Sequence, residues 1–155
     1  MIHAEQNVPL NILLADDDKD DCGFFEDALN ELSIQTNFKA VSDGERLMDY
    51  LSLNADNPPD ILFLDINMPC KNGFECLTEV KQNEKLKRIP VVICSTSLGE
   101  DFAEKLYEKG AHYYMYKGDF SHLSKFIQMI LNMLAEDPTQ PPKNKFVVKL
   151  RKVKS

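Results

Sequence analysis

Five carboxylates fall within six consecutive positions of the segment ADDDKDD: Asp16, Asp17, Asp18, Asp20 and Asp21. The apolar run LNILLA (10–15) stands directly before them. A further acid, Asp65, follows ILFL (61–64), Ser95 and Thr96 follow IPVVIC (89–94), and Lys117 follows AHYYMY (111–116). Asp16, Asp17, Asp65, Ser95 and Lys117 therefore each stand at the end of an apolar run. Clustered carboxylates raise one another's pKa unless a cation joins them. A hard divalent cation with oxygen ligands is the natural partner, and Mg2+ is the commonest inside cells. Mg2+ in such sites keeps waters and also binds phosphate oxygens. Asp65 can then be a nucleophile toward phosphorus, because carboxylates form aspartyl-phosphates. Ser95 and Lys117 can bond the phosphoryl oxygens, one as a hydroxyl donor and the other as a point charge. Taken singly, each acid is ordinary helix capping, Ser95 a turn hydroxyl and Lys117 a surface lysine. Their joint placement carries the chemical reading.

That placement needs four strands ending at one rim. The chain alternates short apolar runs with longer amphipathic stretches. LNILLA (10–15) reads as a buried strand. A helix is predicted over 19–33, with Phe25, Ala28, Leu29 and Leu32 on one face. NFKAVS (37–42) predicts a second strand, and Ser42-Asp43-Gly44 a turn and cap before a helix marked by Leu47, Tyr50 and Leu51. ILFL (61–64) predicts a third strand, MPCKNG (68–73) a loop, and Phe74, Leu77 and Val80 a third helix. IPVVIC (89–94) and AHYYMY (111–116) predict the last two strands. Phe102, Ala103 and Leu106 mark the helix between them, with Gly110 as its C-cap. Leu123, Ile127, Ile130, Leu131 and Leu134 form the clearest stripe, on a fifth helix. Five successive βα units imply an α/β fold with a parallel sheet covered on both faces. Sites in such sheets form at the carboxyl ends of the strands. Asp16 and Asp17 then belong to the rim, while Asp18, Asp20 and Asp21 fall at the cap and first turn of a helix, where the dipole stabilises negative charge.

The composition fits one domain: 155 residues, 43% hydrophobic and 28% charged, with a net charge of −7. No apolar run approaches the ~20 residues of a membrane span. MIHAEQNVPL has neither the basic nor the apolar region of a signal peptide, so a cytoplasmic location is the default expectation. Residues 1–137 hold all 25 acidic residues and a net charge of −13, which argues against a nucleic-acid surface there. The four cysteines (22, 70, 76 and 94) form no C-x-x-C pair and read as reduced, mostly packed thiols. The three histidines are scattered, so a histidine metal site is not expected.

ILLADDD, ILFLDINMP followed by Gly73, IPVVICSTS and GAHYYMYKG together resemble the receiver domain of two-component response regulators. The resemblance covers roughly 9–135, and ELSIQTNFKAVSDGERLMDYL is similar to the stand-alone, phytochrome-associated type. It implies a flavodoxin-like (βα)5 fold with sheet order 2-1-3-4-5. It implies that Asp65 is the phosphoacceptor and a Mg2+ ligand, that Asp17 binds Mg2+ directly and Asp16 mainly through water, and that the backbone carbonyl of Asn67 completes the protein ligands. Ser95 would be the switch hydroxyl, Lys117 the phosphate partner and Tyr114 the aromatic switch. The phosphoryl donor would be a histidine kinase or a histidine phosphotransfer protein. The chain would catalyse only its own phosphorylation and dephosphorylation and signal through an output partner. The face of the fourth helix, fifth strand and fifth helix would be a partner or homodimer surface.

Two positions depart from the family pattern. Gly118 stands where proline, often with a cis peptide bond, usually follows the lysine. A cis non-proline bond costs ~2.5–4 kcal/mol, so a trans bond or a different loop is expected. Thr96 stands where small alanine is common and would narrow access to the phosphoryl group, with Asn67 and Ser97 flanking the path of an attacking water. After residue 135 a proline-containing linker leads to a basic tail, PPKNKFVVKLRKVKS, expected to be solvated, to add an edge strand or to bind a partner. Phe146, Val148 and Leu150 share a strand face; Phe146, Leu150 and Val153 share a helix face. Two alternatives to the phosphorelay reading are a scaffold that is not phosphorylated and a Mg-dependent aspartyl-phosphate phosphatase. Asn67 argues against the latter, because the haloacid-dehalogenase pattern wants an acid there.

Overall fold

A computed structural model describes residues 8–96, 99–117 and 120–149. Five strands, β1 (Leu10–Ala15), β2 (Thr36–Val41), β3 (Ile61–Asp65), β4 (Val91–Ser95) and β5 (Tyr113–Tyr116), alternate with five helices. The helices are α1 (Lys19–Asn30), α2 (Gly44–Leu53), α3 (Gly73–Gln82), α4 (Glu100–Glu108) and α5 (Leu123–Glu136). All strand pairs are parallel and the order is β2-β1-β3-β4-β5. The chain therefore has the parallel α/β sheet its alternation predicts, in the flavodoxin-like order the resemblance implies. β3 and β4 are buried at every residue, as their unbroken apolar runs require.

Alternation along each strand feeds two cores. Leu13, Leu62, Leu64, Val91 and Ile93 pack with Leu47, Leu51, Leu77, Val80 and Leu106 on the side of α2, α3 and α4. Ile12, Leu14, Ile61, Phe63 and Val92 pack with Phe25, Leu29, Ile127, Ile130 and Leu134 on the side of α1 and α5. Burying a large apolar side chain contributes ~1.5–3 kcal/mol, so these two layers hold the sheet between the helices.

The boundaries shift by a few residues for local reasons. α1 ends at Asn30 rather than 33; Leu32 lies in the following turn, its N–H on the Leu29 carbonyl. Pro90 has no N–H to give, so β4 begins at Val91 while the Pro90 carbonyl still accepts from Leu62. Gly110 sits one residue past the Lys109 cap of α4 with φ of 102°. Its N–H reaches Tyr107 and that of Ala111 reaches Leu106, the paired bonds of a Schellman ending. Cys76 and Cys94 are buried, Cys22 is half-buried and Cys70 is exposed, and all four are free thiols. Burial foremost pushes Cys22 up to about 11 and Cys76 up to about 12. No helix among the described residues is long and apolar enough to cross a membrane.

The segment after α5 differs from a solvated tail. Residues 138–149 lie against the β5 edge of the sheet. Pro138 accepts a bond from the His112 ring at 3.2 Å, and Gln140 donates to the carbonyls of Tyr107 and Ala111. The Tyr107 hydroxyl donates to Pro141 at 2.6 Å, and Lys143 pairs with Glu104. After a 3₁₀ turn at Lys143–Lys145, Tyr114 donates to the Phe146 carbonyl and accepts from Val148, both at 2.9 Å. That is a single bridge rather than a regular strand. Phe146 joins the α4-side core and Val148 the α5-side core, so the two do not share the strand face their spacing suggests. The αR conformation of Phe146 (φ −63°, ψ −47°) breaks the alternation and sends the two side chains to opposite sides of the edge. Leu150 and Val153 lie outside the described residues.

Candidate functional site

Each sequence-predicted rim residue sits at the carboxyl end of its strand, and the ends of β1 and β3 converge on the ammonium carried by the end of β5. Asp16 follows β1, its N–H bonded to the Val41 carbonyl of β2. Asp18 caps α1, its carboxylate accepting from the N–H groups of Asp20 and Asp21, and this turns the chain away from the sheet. Asp65 is the last residue of β3, and Ser95 the last of β4. Lys117 follows β5, its N–H bonded to the Ser95 carbonyl at 2.9 Å. The β3–α3 connection is tight: a Cβ at Gly73 would overlap the Asp65 carbonyl oxygen, so only glycine lets α3 start this close. Asn72 caps α3 reciprocally with Glu75, fixing that entry.

Asp16, Asp17 and Asp65 form a cluster in which one carboxylate oxygen of each lies within 4.8 Å of the others. Asp16 and Asp65 are buried, at 3% and 5% exposure, while Asp17 is exposed. Asp16 Oδ1 accepts from the Asp18 N–H at 2.9 Å, and Asp65 Oδ1 from the Asn67 N–H at 3.2 Å. The donor set is all oxygen and anionic, which fits a hard divalent cation and not a thiophilic one. Burial pushes Asp16 up to about 6, against the pull of its bonds from Lys117 and Asp18. The cost of burying this charge would be offset further by a divalent cation.

Lys117 Nζ lies 2.6 Å from Asp16 Oδ2, 2.7 Å from Asp21 Oδ2 and 3.2 Å from Asp65 Oδ2. Burial alone would lower its pKa, but the bonds to Asp16 and Asp21 and the charges of Asp16 and Asp65 outweigh that. The amine is held charged, well above the ordinary lysine range. The Asp21 contact was not foreseen from the sequence, where Asp21 reads as a first-turn acid alone. It joins α1 to the end of β5, a contact between distant segments that no local pattern encodes.

Ser95 is buried at 4% exposure, and Thr96 beside it is exposed. Among the three tyrosines of HYYMY, Tyr114 faces the α4-side core at 3% exposure, Tyr113 the α5-side core, and Tyr116 solvent. The Tyr114 hydroxyl donates to the Ser95 carbonyl at 3.2 Å. Gly118 and Ser97 lie outside the described residues, so the expectations placed on the Lys117–Gly118 bond and on Ser97 fall there too.

A doubly wound parallel sheet in the order 2-1-3-4-5, with an acidic cluster and a lysine at its carboxyl rim, defines the flavodoxin-like class, with a rim suited to a divalent cation. The family model "Response regulator receiver domain" matches residues 12–128, and the chain belongs to that family. The chain is 36% identical over 142 residues to "Response regulator Rcp1" of Synechocystis sp., covering 88% of this chain and 97% of that protein. Among solved structures, the Mn(2+)-bound form of response regulator Rcp1 matches at 35% identity with a TM-score of 0.74, covering 86% of this chain and 99% of that one. The phosphorylated cyanobacterial phytochrome response regulator RcpA matches at 33% identity with a TM-score of 0.75, covering 87% and 99%. This chain is thus a receiver domain homologous to single-domain phytochrome response regulators, consistent with two-component phosphorelay signalling. Receiver domains interact with histidine kinases and with output partners.

Proposed function

We propose that the chain accepts a phosphoryl group on Asp65 from a histidine kinase or histidine phosphotransfer protein and signals through a protein partner. The observation that carries this is the Lys117 ammonium on Asp65 Oδ2 at 3.2 Å, beside the three-carboxylate cluster. Asp16, Asp17 and Asp65, with the backbone carbonyl of Asn67, would hold Mg2+. When bound, the cation neutralises the carboxylates and the phosphoryl oxygens.

Everything else falls to the chain's own groups. An oxygen lone pair of the Asp65 carboxylate forms the new O–P bond, and the P–N bond of the donor phosphohistidine breaks with its electron pair left on the imidazole nitrogen. Lys117 supplies fixed positive charge to the transferring group, and Ser95, at the neighbouring strand end, supplies a hydroxyl. Such transfers depend on positioning and charge stabilisation more than on covalent assistance. Tyr114 couples the event outward, because its hydroxyl already bonds the Ser95 residue and its backbone carries the docked 146–148 segment. A shift of Ser95 toward a phosphoryl oxygen would change both contacts and bias the α4–β5–α5 face. That face, with the tail laid across its edge, is the proposed partner or homodimer surface. Incubation with acetyl phosphate and Mg2+, followed by intact mass, tests the assignment: one phosphoryl adduct is expected on the native chain and none on Asp65→Asn.

A further inference from the structure

Lys117 donates to three carboxylates, but only Asp16 and Asp65 belong to the three-oxygen cluster. Asp21 stands apart, on the first turn of α1. An ammonium has three N–H donors and no acceptor, so these three acids use its full capacity. Asp16 is committed elsewhere as well: its Oδ1 accepts from Asp18, and it is a candidate cation ligand. Asp65 is the group to be modified. Among the described residues the Asp21 side chain has Lys117 as its sole partner, at 2.7 Å, with both side chains largely desolvated at 17% and 12% exposure. Lysine carries its charge on a flexible four-carbon stem, so the ammonium stays where its partners hold it. Lys117 is also followed by Gly118, which lacks the ring that would stiffen the backbone there.

We propose that Asp21 is a positioning residue for phosphoryl chemistry. It anchors the Lys117 ammonium from outside the cluster, so the lysine remains aimed at Asp65 when Asp16 is engaged by a cation. This rests on the reading of Asp65 as the phosphoacceptor. The proposal has a sign that simple electrostatics does not share. Removing a negative charge near an anion site strengthens anion binding by Coulomb's law alone. Removing an anchor weakens it, because the lysine must then be ordered by the anion itself.

The test is calorimetric titration of the full chain with beryllofluoride, a phosphoryl analogue, at saturating Mg2+. Asp21→Asn keeps the size and the first-turn position of the side chain. It is expected to weaken beryllofluoride about tenfold, while Mg2+ affinity without fluoride changes less than about threefold. Asp21→Glu is expected to recover most of the affinity. In a Lys117→Met background, Asp21→Asn is expected to have no further effect, since the anchor then has nothing to hold. Unchanged or tighter binding by Asp21→Asn overturns the proposal, as does an equal loss in the Lys117→Met background. A native chain that binds no beryllofluoride overturns the Asp65 reading itself, and this is seen before any variant is made.

Discussion

Replacing Lys117 by methionine keeps the apolar stem of the side chain and removes only its charge. Four carboxylates, Asp16, Asp17, Asp21 and Asp65, then share one rim without the ammonium that pairs three of them, and two of them are nearly inaccessible to water. Breaking a buried ion pair by removing one partner typically costs ~3–5 kcal/mol. Two features reduce that here. Lys117 and Asp21 keep 12% and 17% exposure, so solvent screens part of the repulsion. The cluster can also take up a proton, since unpaired carboxylates rise in pKa. A loss of about 2–3 kcal/mol is therefore expected without divalent cations. With a urea m-value of roughly 1–3 kcal/mol/M, the midpoint should fall by about 0.7–3 M. Urea unfolding in EDTA, followed by circular dichroism, reads this directly. Adding Mg2+ should then stabilise Lys117→Met more than the native chain, because the more negative site binds the cation more tightly and linkage converts affinity into stability. A loss under about 0.5 kcal/mol in EDTA, in the range of an ordinary surface change, would refute the electrostatic account of the rim.

Two further predictions concern the region between β5 and the tail. Phe146 is buried at 2% exposure, packs edge-on against Tyr107 with centroids 5.5 Å apart, and belongs to the α4-side core. Phe146→Ala should destabilise by about 1–3 kcal/mol, less than the ~3–5 of a central core site because the tail can detach by itself; hydrogen exchange should show the Val148 and Tyr114 amides losing protection, and unchanged protection would contradict the docking. His112 is buried, its Nδ1 accepting from Val91 and its Nε2 facing the Pro138 carbonyl, which places the proton on Nε2. Burial, helped by the nearby Lys81 charge, pulls its pKa down to about 4, so between about 6.5 and 4 the unfolded chain binds the proton and the folded chain does not. Its contribution is present above the unfolded value and is lost as pH falls, so native stability should drop by roughly 2–3 kcal/mol more than that of His112→Gln between pH 7 and 4.5; parallel slopes would refute it.

The sheet and its rim were legible because both are written in local pattern. Unbroken apolar runs such as ILFL and VVIC demand burial on both faces, and the βα alternation forces parallel pairing. The residue after each run is then carried to the same edge, which brought Asp16, Asp65, Ser95 and Lys117 into view. What lay beyond reach depends on contacts between distant segments. Asp21 looks like a helix-cap acid because it is one; its second role exists only because β5 ends opposite the first turn of α1. The tail was ambiguous because Phe146, Val148 and Leu150 fit a strand face while Phe146, Leu150 and Val153 fit a helix face. Neither form describes residues 146–149: they make one bridge to Tyr114, Phe146 and Val148 go to opposite cores, and Val147 and Lys149 are exposed. The resemblance singled out Tyr114 among three tyrosines, and the residue pattern alone did not; the register Ile93 to Tyr114 places it. Helix α1 stopped short of its apolar stripe because Leu32 reaches the core from the turn.

The central claim is that Asp65 receives the phosphoryl group. Intact mass of the native chain and of Asp65→Asn, each incubated with acetyl phosphate and Mg2+ and again with EDTA, tests it most directly. One phosphoryl adduct on the native chain, lost with EDTA and absent from Asp65→Asn, is the result this account predicts. An adduct that persists in Asp65→Asn, or a native chain that gains no adduct and binds no beryllofluoride, would contradict it and leave a receiver fold acting as a binding scaffold.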